Sequence, residues 1–356
     1  MACRRSVPDP LRAICLCGVT LAAMVMLPLD ASPASAEATI AAGPSDMAQT
    51  QVLGGIPGGM RLAATANGQA VRCLLGGQGT VVSFEPGRPA DRRNVVGPGV
   101  PGMCLAIGCL PGDVVAVVVR EGEAWWLRTY RIEPGSTADP AAPLQEISLG
   151  AAAGDSGPIG LVASTARGWL ALTGLPPPLP PILRAPVAGV RIGPLSDRAC
   201  PKLPAGWRPV AATVSPRDEL VLALEPLPPE GASPDLATLA AAQIGFYDLS
   251  GRELARFEAG VDRLQATAFD RGGATLCVTG RGLADGRTGV WRLEAIMREG
   301  RQAVRPVLVA SHPTARDLVA GPDRGLIMLA ADEAGTLLAI DPTPPLPAAA
   351  SGDMSP

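Results

Sequence analysis

The chain has one histidine, His312, one lysine, Lys202, and two asparagines, Asn67 and Asn94, in 356 residues. Catalysis through a histidine base would have to use His312, which stands in the loop triplet Ser311-His312-Pro313 just before an apolar run. That position reads as structural or solvated. No G-x-S-x-G elbow surrounds a serine, and neither a phosphate loop nor a dinucleotide fingerprint occurs. A single histidine and the lack of any C-x-x-C pair exclude a Cys2His2 zinc site. Net charge is −3 without a basic stripe, which argues against nucleic-acid binding, because that affinity rests on clustered Lys and Arg. Charged residues are 18% against 47% hydrophobic, so the chain has the apolar surface to build a core and is not disordered.

What the chain has instead is a repeat. Six copies of one phrase, an apolar run, a turn and a second apolar run, begin at Arg61, Cys104, Gly160, Pro209, Leu264 and Asp317. Their turn centres, near Gly68, Gly112, Gly168, Arg217, Arg271 and Arg324, are spaced by 44, 56, 49, 54 and 53 residues. A period near fifty in short apolar runs is the mark of a repeat architecture. The 42 Gly and 38 Pro fall mostly between those runs, where they set turns. The reading is all-β: a β-propeller of about six four-stranded blades, with seven blades or two β-sandwich domains as alternatives.

The fourth copy shows the unit best: PVAATVS, a turn at Pro216-Arg217-Asp218, ELVLALE, an insertion, AQIGFYDLS, a turn at Ser250-Gly251-Arg252, then ELARFEA. Runs of about five residues joined by tight turns match antiparallel hairpins. The last copy has only three runs, DLVAG, LIMLAA and TLLAID, before a proline-rich tail. A fourth strand must come from elsewhere, and Thr50 to Leu53, just upstream of the first repeat, is expected to pair beside Thr336 to Ile340 and close the ring.

At the N-terminus, Arg4, Arg5 and Arg12 precede an uncharged stretch, Ala13 to Leu29, followed by Ala34-Ser35-Ala36. This is the layout of a secretory signal peptide. The expected organisation is a signal segment over 1–36, a linker over 37–48, the propeller over 49–342 and a Pro/Ala-rich tail over 343–356. The protein is read as exported, periplasmic or secreted, and as membrane-anchored only if the signal segment is retained. Cleavage leaves Cys73, Cys104, Cys109, Cys200 and Cys277, an odd number, so at least one thiol is free or paired between chains. Cys104 and Cys109 would bridge only if the chain folded back between them; otherwise they are buried strand residues.

Residues Phe246 to Gly260, FYDLSGRELARFEAG, resemble the end of a WD-repeat blade, with Tyr247-Asp248 in the place of the Trp-Asp pair. Residues Ala334 to Pro342, AGTLLAIDP, are similar to a quinoprotein-type propeller repeat. The Gly-His pair that starts a WD repeat occurs nowhere. Both resemblances imply a propeller.

Function is less legible, because a propeller serves binders, scaffolds and enzymes alike. Candidate carboxylates are Asp113, Asp218, Asp270 and Asp323, which recur in the turn between first and second strands; the simpler role for them is capping those turns. Trp125-Trp126 lies in a strand, so at least one ring is expected to pack between blades. Two segments are candidates for partner contact: the Pro-rich loop Leu175 to Pro186 and the insertion Glu225 to Ala242, with Glu225, Glu230, Asp235, Leu236 and Leu239 as its contact residues. The reading is a non-catalytic propeller that binds an unknown protein or envelope component, with no cofactor and no metal. The alternative is a propeller enzyme of lactonase or quinoprotein type, holding a metal or cofactor in its channel.

Overall fold

The structure is a computed structural model. It describes residues 50–343 except 66–69, 76–79, 97–101, 133–141, 153–157, 165, 228–240, 299–300 and 323–324. Asp323, Glu230, Asp235, Leu236 and Leu239, the signal and linker segments, and the tail beyond Thr343 therefore lie outside the described residues.

The described residues form 24 strands in six four-stranded antiparallel sheets. Blade 1 comprises β2 (Gly59–Ala64), β3 (Val71–Leu75), β4 (Val81–Glu85) and β5 (Arg88–Val96). Blade 2 comprises β6 (Met103–Leu110), β7 (Val114–Glu121), β8 (Ala124–Arg131) and β9 (Gln145–Ala151). Blade 3 comprises β10 (Gly160–Ser164), β11 (Trp169–Thr173), β12 (Ile182–Ala188) and β13 (Arg191–Ile192). Blade 4 comprises β14 (Trp207–Val214), β15 (Leu220–Pro226), β16 (Gln243–Tyr247) and β17 (Glu253–Glu258). Blade 5 comprises β18 (Val261–Phe269), β19 (Leu276–Gly282), β20 (Thr288–Arg298) and β21 (Arg301–Ser311). Blade 6 joins β22 (Ala315–Ala320), β23 (Leu326–Ala330) and β24 (Thr336–Ile340) to β1 (Thr50–Gly55). The first strand of each blade neighbours the first strands on both sides, and β2 meets β22, so the blades close into a ring. The protein is a six-bladed β-propeller.

Each seam between blades holds its own apolar cluster, six seams and six clusters. A second strand serves two seams at once because successive side chains point to opposite faces. In β7, Val115, Val117 and Val119 pack toward blade 1, while Val114, Ala116 and Val118 pack toward blade 3. In β15, Leu220, Leu222 and Leu224 face blade 3, and Val221 and Ala223 face blade 5. This is why these strands read as unbroken apolar runs rather than alternating ones. Trp125 is buried in the seam with blade 3, and its indole N–H donates to the carbonyl of Ala152 at 3.3 Å. Trp126 packs on the opposite seam.

Closure follows the expected register: Thr50 pairs Ile340, Gln51 pairs Ala339 and Val52 pairs Leu338, with a bulge before Gly54. Just past β1, the Ile56 N–H donates to the Gly335 carbonyl at 2.9 Å. Gly335 has φ +59°, and a Cβ there would run into the Ile56 carbonyl, so this junction requires glycine.

Two sequence expectations are corrected, and one alternative is decided. Glu225 and Pro226 belong to β15, so the insertion of blade 4 starts after them; the apolar run ELVLALE extends to its charged end because Glu225 finds a partner in blade 5. The second half of the Pro-rich stretch, Ile182 to Pro186, is strand β12, which leaves a loop of Gly174–Pro181. Cys104 and Cys109 lie along one extended strand, roughly 16 Å apart at the usual rise per residue, so they form no bridge. All five cysteines here are free thiols.

Candidate functional site

The inner strands β2, β6, β10, β14, β18 and β22 enclose a channel that forms a cavity of about 440 Å³. Five of these six strands carry a bulge against their second strand, at Gly59/Arg61, Cys104/Ala106, Pro209/Ala211, Asp262/Ala266 and Ala315/Asp317. A bulge leaves backbone groups out of the ladder. Two carboxylates accept inner-strand N–H groups across a seam, one of them, that of Leu264, inside such a bulge. Glu225 Oε1 of blade 4 accepts the Leu264 N–H of blade 5 at 2.6 Å, and Asp317 Oδ2 of blade 6 accepts the Leu62 N–H of blade 1 at 2.7 Å. The other Asp317 oxygen accepts the Leu318 N–H at 2.9 Å. Burial raises both carboxyls above their ordinary values, and the donated N–H groups oppose that rise.

The turns between first and second strands cluster at one mouth of the channel. Ser164 donates to Asp218 Oδ1 across the seam between blades 3 and 4, and the Arg167 N–H donates to the Ser164 hydroxyl at 3.2 Å. Arg167 also pairs with Asp218 at 3.4 Å. The Ser215 hydroxyl donates to Glu219 at 2.8 Å. Asp270 is buried and accepts the Thr275 N–H at 3.0 Å. Asp113 sits at φ 54° in its turn and meets buried Arg72 at 3.5 Å. Asp218 likewise sits at φ 62°, a backbone state that Asp tolerates better than most residues.

Asp113, Asp218 and Asp270 thus all lie in turns between first and second strands, but each is engaged, the first two by the preceding blade and Asp270 within its own turn. Among the described residues, no three His, Cys, Asp or Glu side chains are grouped so as to hold a metal ion. His312 stays in its loop, where its Nδ1 faces Thr314. At the end of β16, Asp248 Oδ1 accepts from the N–H groups of Ser250 and Arg252, at 2.8 and 3.0 Å. The Ser250 hydroxyl holds the Asp248 carboxyl below the usual range. This is the turn that the aromatic-Asp resemblance implies.

Sequence reasoning missed Glu225 and Asp317 as cross-seam acceptors, along with two threonines on the channel wall, Thr213 and Thr267. A signal existed for Asp317, a lone acid opening the apolar run DLVAG. None existed for the threonines, which look like ordinary strand residues.

No protein-family model matches the chain, and no curated protein matches its sequence. Solved structures do match it. A structure described as a glucose dehydrogenase is 13% identical with a TM-score of 0.54, covering 82% of this chain and 99% of that one. A glucose dehydrogenase-type oxidoreductase of Thermus thermophilus is 16% identical with a TM-score of 0.51, covering 82% and 99%. The hydrazine synthase of Kuenenia stuttgartiensis is 14% identical at 0.50, covering 77% and 74%. These likenesses show the fold alone.

Proposed function

We propose that the protein is an exported binding module, a rigid propeller that recognises a protein or envelope component through loops at the rims of its blades. One observation carries the reading: the carboxylates that chemistry would need are each engaged in holding backbone or a neighbouring turn. Asp270 caps its own turn, Asp218 holds the neighbouring turn of blade 3, and Glu225 and Asp317 tie blade to blade. Loops on such a frame are where recognition usually resides. The loop Gly174–Pro181, with Pro177 and Pro178 exposed, and the segment after Leu227 are the contact candidates; export rests on the signal-like N-terminus.

Removal of residues 228–240 together with Pro177→Ser and Pro178→Ser, at exposed positions of the 174–181 loop, tests this. Capture of an envelope partner should be abolished while the melting temperature stays within a few degrees. The enzyme reading takes over if the purified protein binds calcium or a quinone stoichiometrically and Asp218→Ala with Asp270→Ala removes that binding.

A further inference from the structure

Among the described residues, six strands form the outer rim of the ring, β1, β5, β9, β13, β17 and β21, and each leaves its outward edge without a ladder partner. Such an edge offers a row of backbone N–H and C=O groups to any passing strand, and charged residues or proline are the common protection against it. Five of the six carry a charge: Arg92 on β5, Glu146 on β9, Arg191 on the two-residue β13, Arg256 on β17 and Arg305 on β21. The sixth is β1, whose sequence TQVLGG has neither charge nor proline. A bulge does not set it apart, since β1, β5, β9, β17 and β21 each have one against the neighbouring strand. Nor is β1 covered: Thr50, Gln51 and Val52 are exposed, and Val52, at 67%, is the most exposed large apolar side chain among the described residues.

We propose that the protein forms a two-fold dimer through β1, in which blade 6 of one copy and blade 6 of the other join into a continuous sheet with Val52 set against the opposite strand. A two-fold axis pairs β1 with β1 antiparallel, so that residue i of one copy meets residue j of the other while j meets i. On β1 no register places a charged residue in the new seam; on the other rim strands the same operation brings charged side chains together there. Each copy spends its one unprotected edge, so assembly stops at two. One short strand pair is a small interface, and a Kd on the order of 10–100 µM is expected. The dimer does not depend on the loop reading, because β1 belongs to blade 6, whereas the 174–181 loop belongs to blade 3 and residues 228–240 follow β15 of blade 4.

Sedimentation velocity on the purified exported protein, from about 1 to about 300 µM, tests this and should show a monomer passing into a dimer and no larger species. Val52→Lys should weaken the dimer about tenfold, since it sets like charges across the strand pair, while Val52→Thr should hold it within about threefold. Position 52 is exposed, so the melting temperature of either variant should stay within a few degrees of wild type. Under mild oxidation Val52→Cys should form a disulfide-linked dimer several-fold faster than Met297→Cys, whose site on blade 5 is as exposed, at 66%. A wild type that stays monomeric over this range overturns the proposal and leaves the edge to a strand of another protein. A dimer unchanged by Val52→Lys, or equal linking rates in the two cysteine variants, overturns it as well. Deleting residues 228–240 should leave the dimer as before; its loss there would move the interface to the insertion and overturn the β1 pairing, whereas partner capture by the same variant reports on the loop reading separately.

Discussion

Blade 2 and blade 6 follow one plan with different materials. Blade 2 comes from a single stretch of chain, and its second strand is buried without interruption from Val114 to Val119 between two apolar seams. Blade 6 takes three strands from the C-terminal end and its outermost strand from the N-terminal end. In β1 the residues Thr50, Gln51 and Val52 are exposed, Val52 at 67%. The inner strands of any blade are held mainly by side chains in the seams; the outer strand of blade 6 is held mainly by its backbone ladder to β24. Energy and topology therefore sit in different places. Burial stabilises the seams, while the ring depends for its closure on a strand that buries little.

The sharpest way to break this comparison is to delete residues 49–55. The edge of β24 is then left unpaired, and aggregation or a melting temperature lower by about 10 °C or more is expected. Unchanged stability would mean that the ring closes without β1. Next in size, Leu127→Ala in the seam of blades 2 and 3 should cost about 2–5 kcal/mol by denaturant titration, because Leu127 is fully buried. Val52→Thr on the exposed face of β1 should stay within about 0.5 kcal/mol. Comparable effects from the two would erase the distinction between seam and closure.

Asp317→Ala comes third, with an expected loss of about 1–3 kcal/mol from the orphaned Leu62 N–H between blades 6 and 1. Its pH dependence has a definite sign. Burial raises the Asp317 carboxyl in the folded state above its ordinary value of 3.8, so the folded protein binds that proton more readily than the unfolded chain does. Wild type should therefore gain on the alanine variant as pH falls from 7 toward 4, and a gap that narrows over that range would contradict the assignment. Asp248→Ala, in an exposed turn, should be milder than Asp317→Ala, at about 0.5–1 kcal/mol. Asp248 is held low by the Ser250 hydroxyl, so its contribution is present above its unfolded value and disappears as pH falls below about 4. Thermal melts of the two variants across that pH range measure both signs.

The ring was legible in the sequence because its signals are local. A strand of five apolar residues and a turn of Pro, Gly or Asp write themselves into consecutive positions, and six copies of that phrase count the blades. Closure was legible too, since DLVAG, LIMLAA and TLLAID leave one strand missing and TQVL was the segment at hand to supply it. The roles of Glu225 and Asp317 were not. Glu225 looked like the start of a loop, and only the neighbouring blade shows that it accepts the Leu264 N–H.

By itself the sequence determined the class of fold, the number of blades and the turn positions of Asp113, Asp218 and Asp270, all of which depend on residues close together in the chain. Tertiary structure decided which of those acids are engaged, and it set Glu225 and Asp317 against backbone N–H groups of the next blade. Those relations join residues from different blades, far apart in the chain, and the repeat pattern carries no information about which side chains will meet across a seam. In the sequence Glu225 and Asp317 are ordinary strand acids; only the stacking of blade on blade brings the Leu264 and Leu62 N–H groups to them.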